Sequence, residues 1–145
     1  MIVKPYELNK IKGDLKFFLF YGKNEGLKNQ HIQQLLEKND NNNIVKYDEK
    51  EILENEDIFF ESILSNSLFE NEKSIVINRT SDKIYEIVIN LIERNIDGIK
   101  IIINANVLEK KSKLRKLFEK EKNLACIATY PDTDEILSNL AQDFF

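Results

Sequence analysis

Gly22-Lys-Asn-Glu-Gly-Leu-Lys-Asn29 has the composition of a phosphate-binding loop, with two glycines and two lysines directly behind an apolar run. Such a loop needs glycine where backbone approaches the anion, a lysine for the outer phosphates, and a hydroxyl to ligate Mg²⁺. With Gly22 at the first position of G-x-x-x-x-G-K-[ST], Leu27 stands at the second glycine, Lys28 at the lysine and Asn29 at the hydroxyl. Leu27 brings a side chain where main chain must come close, and Asn29 has no hydroxyl. The metal's other support is missing too, because the apolar run Ile101-Ile-Ile-Asn104 ends on an amide rather than a carboxylate. Gly22, Gly26, Leu27, Lys28 and Asn29 therefore read as a degenerate phosphate loop. ATP hydrolysis, a bound metal and a resident cofactor are not expected.

Other catalytic readings find less support. His31 is the single histidine and reads as an ordinary side chain on a surface helix rather than a base. Cys126 lies within Leu124-Ala-Cys-Ile-Ala128 and reads as an inert core thiol. No Cys/His cluster has zinc spacing. Glu49, Glu51, Glu54, Glu56 and Asp57 read as a solvated cluster at a helix start. A phosphate-accepting receiver domain needs acidic residues at the first and third strand ends, and these are Tyr21-Gly22 and Ile77-Asn78.

A second stretch, Ile63-Leu-Ser-Asn-Ser-Leu-Phe-Glu-Asn-Glu-Lys-Ser-Ile-Val-Ile77, reads as a helix end, a turn and a buried strand. Leu68 and Phe69 fall in the turn, between polar Ser65, Asn66 and Ser67 and polar Glu70, Asn71 and Glu72. Neither helical nor strand periodicity assigns them to a buried face. Two readings stay open. The pair is a binding anchor on a loop held by a firm scaffold, or Phe69 staples the turn onto the core.

The elements that must position these stretches alternate. Phe17-Phe-Leu-Phe-Tyr21 reads as a strand buried on both faces. Helical spacing follows over 27–38, a strand over 44–47, a helix face at Ile58, Phe59, Ile63 and Leu64, and a strand over 74–77. Next come a helix through Ile84, Ile87, Val88, Leu91 and Ile92, a strand over 99–103, a helix over 114–121, a strand over 124–129 and a helix over 136–145. Tyr6, Leu8 and Ile11 mark a short lead-in piece ending at Gly13. The expected fold is α/β: a three-layer, doubly wound, mostly parallel five-stranded sheet. With 145 residues and 42% hydrophobic composition, residues 1–145 are expected to form one domain. The apolar face of Leu137, Leu140, Ala141, Phe144 and Phe145 is read as a hint that this domain is the first of a longer chain; a helix docked on its own sheet is the alternative.

Net charge is −4 and the isoelectric point is near 5.2, so no overall positive field draws the chain to nucleic acid. A lone cysteine fits a reducing compartment, and no apolar run is long enough to span a bilayer. A cytoplasmic location and no membrane role are expected.

Phe18-Leu-Phe-Tyr-Gly22 running into Lys23-Asn-Glu-Gly26, then Ser67-Leu-Phe-Glu-Asn-Glu-Lys-Ser-Ile-Val-Ile77, then Leu108-Glu-Lys-Lys-Ser-Lys-Leu114, resembles the amino-terminal, AAA+-like domain of the delta subunit of bacterial DNA polymerase III, the clamp loader. The resemblance covers essentially the whole chain. It implies a DNA replication role: binding the sliding clamp (beta subunit) and helping to open it, without ATP hydrolysis by this chain itself. The DNA-directed DNA polymerase (nucleotidyltransferase) activity belongs to the holoenzyme of which it would be a part. Carried over, the resemblance gives the anchor role to Leu68 and Phe69, and neighbouring Ser67, Asn66, Ile63 and Glu70 are expected to supply further surface. The lid and collar domains that hold the other loader subunits are absent from these residues. Two alternatives remain: a small P-loop nucleotide-binding enzyme or sensor, and weak DNA binding through Lys110, Lys111, Lys113, Arg115 and Lys116.

Overall fold

Phe17-Phe-Leu-Phe-Tyr21 has no polar side chain to turn toward water, and it becomes strand β1, Phe17–Tyr21, hydrogen-bonded on both sides by parallel neighbours. A computed structural model of the chain describes residues 1–4, 15–38, 44–67, 73–94 and 98–129. After β1 come α1 (Glu25–Lys38), β2 (Ile44–Asp48), α2 (Glu49–Glu54), α3 (Glu56–Ser67), β3 (Lys73–Thr80), α4 (Tyr85–Arg94), β4 (Ile99–Ala105), α5 (Lys113–Lys120) and β5 (Leu124–Ala128). The sheet order is β2-β3-β4-β1-β5 and every pairing is parallel. The lead-in piece at Tyr6, Leu8 and Ile11 and the helix over 136–145 lie outside the described residues.

Strand side chains alternate between faces, and each face has its own core. Leu19, Ile75, Ile77, Ile101, Ile103 and Cys126 point to one side, where Ile52 of α2, Phe59 and Ile63 of α3, Val88 and Leu91 of α4 and Phe118 of α5 cover them. Phe18, Phe20, Val76, Ile102 and Ile127 point to the other, against Ile32, Leu35 and Leu36 of α1. Helices on both faces of a parallel sheet make the three-layer arrangement of P-loop and AAA+-like domains.

Three local features depart from the expectation. The helix face at Ile58 to Leu64 is preceded by a separate helix, α2, and the break is Asn55, whose backbone (φ −142°, ψ 63°) leaves the helical region. Glu49 is not solvated. It is 7% exposed, and its carboxylate accepts from the Ser81 backbone N–H at 2.5 Å and the Ser81 hydroxyl at 2.9 Å. Finally, β3 runs on past Ile77 through a shift in register, with Arg79 in the left-handed region at φ 55°.

The strand ends are tied by cross-links between elements. Asp82 caps α5 from outside it, accepting the Ser112 hydroxyl and the backbone N–H groups of Lys113 (3.1 Å) and Leu114 (3.3 Å). Ser112 in turn accepts from Arg115 N–H at 3.1 Å. Along the outer side of β5, Cys126 N–H donates to Met1 O at 2.8 Å and Val3 N–H to Cys126 O at 2.9 Å, a pairing that the sequence pattern did not announce.

Candidate functional site

The β1–α1 connection leaves β1 at Gly22, where backbone passes backbone. A Cβ on Gly22 would lie 2.0 Å from Thr129 O, and its φ of +136° suits glycine alone. From there the helix comes early. Asn24 Oδ1 accepts Leu27 N–H at 3.0 Å, Asn24 O accepts Lys28 N–H at 3.0 Å, and α1 is already formed at Glu25. Only Gly22, Lys23 and Asn24 bridge strand and helix. Of the N–H groups in the first turn of α1, that of Leu27 is therefore taken by the Asn24 side chain, while the Lys28 N–H makes the first intrahelical bond. Gly26 is exposed, and a Cβ there would meet only Asn24 Oδ1 at 3.6 Å, so nothing near it requires glycine.

Lys28 completes the closure. It has no exposed surface, and its ammonium donates to Glu25 Oε1 at 2.6 Å and to Ala105 O, at the end of β4, at 2.7 Å. A buried ammonium engaged in this way is structural, bracing α1 against β4. Leu27 is half-buried and Asn29 exposed.

At the neighbouring strand ends Asn78 of β3 and Asn104 of β4 face each other, with Asn104 Nδ2 donating to Asn78 Oδ1 at 3.0 Å. Both positions are amides, and no group of three or more His, Cys, Asp or Glu side chains arranged to hold a metal occurs among the described residues. A cleft of about 670 Å³ opens between α1 and these strand ends, lined on the helix side by Asn29, Ile32, Gln33 and Leu36.

Leu68, Phe69 and Glu70 lie outside the described residues. The element that leads to them does not. α3 packs on the sheet through Phe59, Phe60 and Ile63, which are 2%, 9% and 0% exposed. Phe59 sits edge-on to Tyr47 at 5.1 Å between centroids, and the Arg94 guanidinium of α4 lies 4.8 Å from the Phe60 ring centre. The expectation that Ile63 offers surface is corrected: its side chain is sealed in the core, so it holds the helix and presents nothing outward. Asn66 and Ser67 form the last turn of α3. The apolar side chains that α3 exposes are Ile58 and Leu64, which the sequence reading grouped on one helix face with the buried Phe59 and Ile63. Lys73, which opens β3, is largely buried, and burial pushes its ammonium below the usual lysine range.

The remaining candidates separate. Arg115 is turned inward: it pairs with Glu119 at 3.0 Å, donates to Leu108 O at 3.0 Å and lies 5.0 Å from the Tyr21 ring centre. Lys111 pairs with Glu109 at 3.3 Å. The basic run is thus not one open cationic face. His31 is half-buried on α1. Cys126 is 2% exposed and its thiol is pushed up to about 12, chiefly by burial. Among the described residues no helix is long and apolar enough to cross a membrane.

Compared with known protein families, residues 18–130 match the family model described as DNA polymerase III, delta subunit. No curated protein matches the chain.

Proposed function

Because the chain belongs to the DNA polymerase III delta subunit family, a component of the replicative clamp loader, we propose that it grips the sliding clamp through Leu68 and Phe69 and favours the opened ring, without hydrolysing ATP. The observation that carries this reading is the seat of α3. The helix is locked to the sheet by Phe59, Phe60 and Ile63 and ends at Ser67, immediately before the Leu68-Phe69 pair in sequence. An anchor works best on an element that does not have to be ordered when it binds. The capped N–H of Leu27 and the engaged ammonium of Lys28 support a role without nucleotide turnover.

Burying Leu68 and Phe69 contributes about 1.5 to 3 kcal/mol each, while a micromolar complex needs about 8 kcal/mol. Further contact is required. With Ile63 inside, the exposed Leu64 and Ile58 of α3 are the apolar surface available near the pair in sequence, and Asn66, Ser67 and Glu70 are proposed to add to it. Opening imposes a second requirement, because a partner shifts an equilibrium only by binding one state more tightly than the other. The test compares the affinity of the chain for the closed clamp ring and for single clamp protomers whose ring interface has been broken by mutation. Tighter binding to single protomers is expected; equal affinity would refute a role in opening.

A further inference from the structure

β5 is the last strand in the sheet order, and the main-chain groups on the outer side of such a strand invite pairing. Residues 1–3 take that place. Cys126 N–H donates to Met1 O at 2.8 Å, Val3 N–H donates to Cys126 O at 2.9 Å, and Ile2 stands opposite Cys126 in a parallel bridge. Val3 is buried in the core on the α1 side of the sheet, whereas Ile2 is 61% exposed. Much of the hold on the segment is therefore main chain.

The terminus itself supplies a second observation. α5 ends without the glycine that commonly closes a helix. Glu121 leaves it in an extended conformation (φ −80°, ψ 136°), so the last carbonyls of α5 need donors from elsewhere. The Met1 α-amine provides them: it donates to Phe118 O, to Glu121 O at 2.6 Å and to Leu124 O at 2.7 Å. Positive charge is also favoured at this end of a helix. Burial lowers the pKa of the amine, yet its neutral form still carries two N–H donors.

We infer that the Met1 α-amine is a modification-sensitive latch, closed when the amine is free and opened by an Nα-acyl group. Formylation or acetylation leaves one N–H for three acceptors, removes the charge, and sets a new carbonyl oxygen among carbonyl oxygens that it cannot bond. Bacterial translation starts a chain on formylmethionine, so closure follows hydrolysis of that formamide, in which water enters and formate leaves the free amine behind. With the latch open, the outward N–H and C=O of Cys126 lose their partners and the edge of β5 is uncovered.

The test compares three forms of the full chain: free Met1, Nα-formyl-Met1 obtained by expression under a deformylase inhibitor, and Nα-acetyl-Met1, each verified by intact mass. Hydrogen exchange and thermal melting are the readouts. In both acylated forms the Val3 and Cys126 amides are expected to exchange roughly tenfold faster or more, and the melting temperature to fall, while amides of β2 at the opposite edge change far less. Equal exchange at Val3 and Cys126 in all three forms, or an unchanged melting temperature, would overturn the inference. So would a rise in exchange as large in β2 as at Cys126, since that is general destabilisation and not release of one edge. The inference is independent of the clamp reading, because no form alters Leu68 or Phe69 and no clamp enters the measurement.

Discussion

Burying an ammonium is tolerable only where its protons are taken up, and Lys28 meets that condition through Glu25 and the Ala105 carbonyl. Lys28→Met keeps the bulk of the side chain and leaves that carbonyl without its donor, so a stability loss of about 1–3 kcal/mol is expected in urea unfolding; an unchanged midpoint would mean the bond is not structural. Cys126 is the opposite case, a group kept neutral. With its thiol pushed up to about 12 and 2% exposed, it is expected to resist a thiol reagent at pH 8 in the folded protein and to react promptly in denaturant. Equal rates in both states would contradict that. Asp82 titrates in the other direction. Burial acts to raise its carboxyl, but the bonds from Ser112, Lys113 and Leu114 and the charge of Lys113 outweigh it, and the net shift is below the ordinary value. Depressed in the fold, Asp82 contributes stability above its unfolded value of about 3.9, and that contribution disappears as pH falls through the lower folded value. Asp82→Ala is expected to cost about 0.5–2 kcal/mol at neutral pH, as for other lost helix caps. Because the side chain is exposed, the lower end applies. The variant's stability should also depend less on pH below about 4; identical slopes in the two proteins would remove the cap argument.

At the scale of elements, what could be read in advance depended on whether the deciding contact was local. β1 was legible because Phe17 to Tyr21 offers no polar face, and the five-strand alternation followed from the same kind of pattern. The parting of α2 from α3 at Asn55 carried no strong breaker, since neither Gly nor Pro stands there. Glu49 read as solvated because Ser81, which buries it, lies 32 residues on. Lys28 was read at the lysine position of a phosphate-loop pattern, but its burial rests on a main-chain oxygen 77 residues away, which no side-chain pattern encodes. Ile63 shows the limit most clearly: the helix periodicity was visible, but not which side of α3 faced the sheet. Its role as a rivet has a consequence that can be measured. Ile63→Ala removes a fully buried side chain and is expected to cost about 2–5 kcal/mol, whereas Ile58→Ala, at a side chain 64% exposed, should fall within about 0.5 kcal/mol in the free protein. The reverse order in denaturant titrations would refute the orientation assigned to α3.

For the whole molecule, the account is of an AAA+-like frame, shared with the delta subunit family over residues 18–130, in which Asn24 accepts the Leu27 N–H and Lys28 is bonded to Glu25 and Ala105 O. The frame is proposed to serve as a platform. Its sheet fixes α3, and in that proposal the Leu68-Phe69 pair that follows α3 in sequence is what meets the clamp. The measurement that bears on this most directly is a titration of the clamp with the wild-type chain and with the Leu68→Ala, Phe69→Ala double variant, folding being verified by circular dichroism. A loss of about 3–6 kcal/mol, on the order of a hundredfold or more in affinity, is expected from the burial of both side chains. Wild-type affinity in a folded double variant would contradict the account.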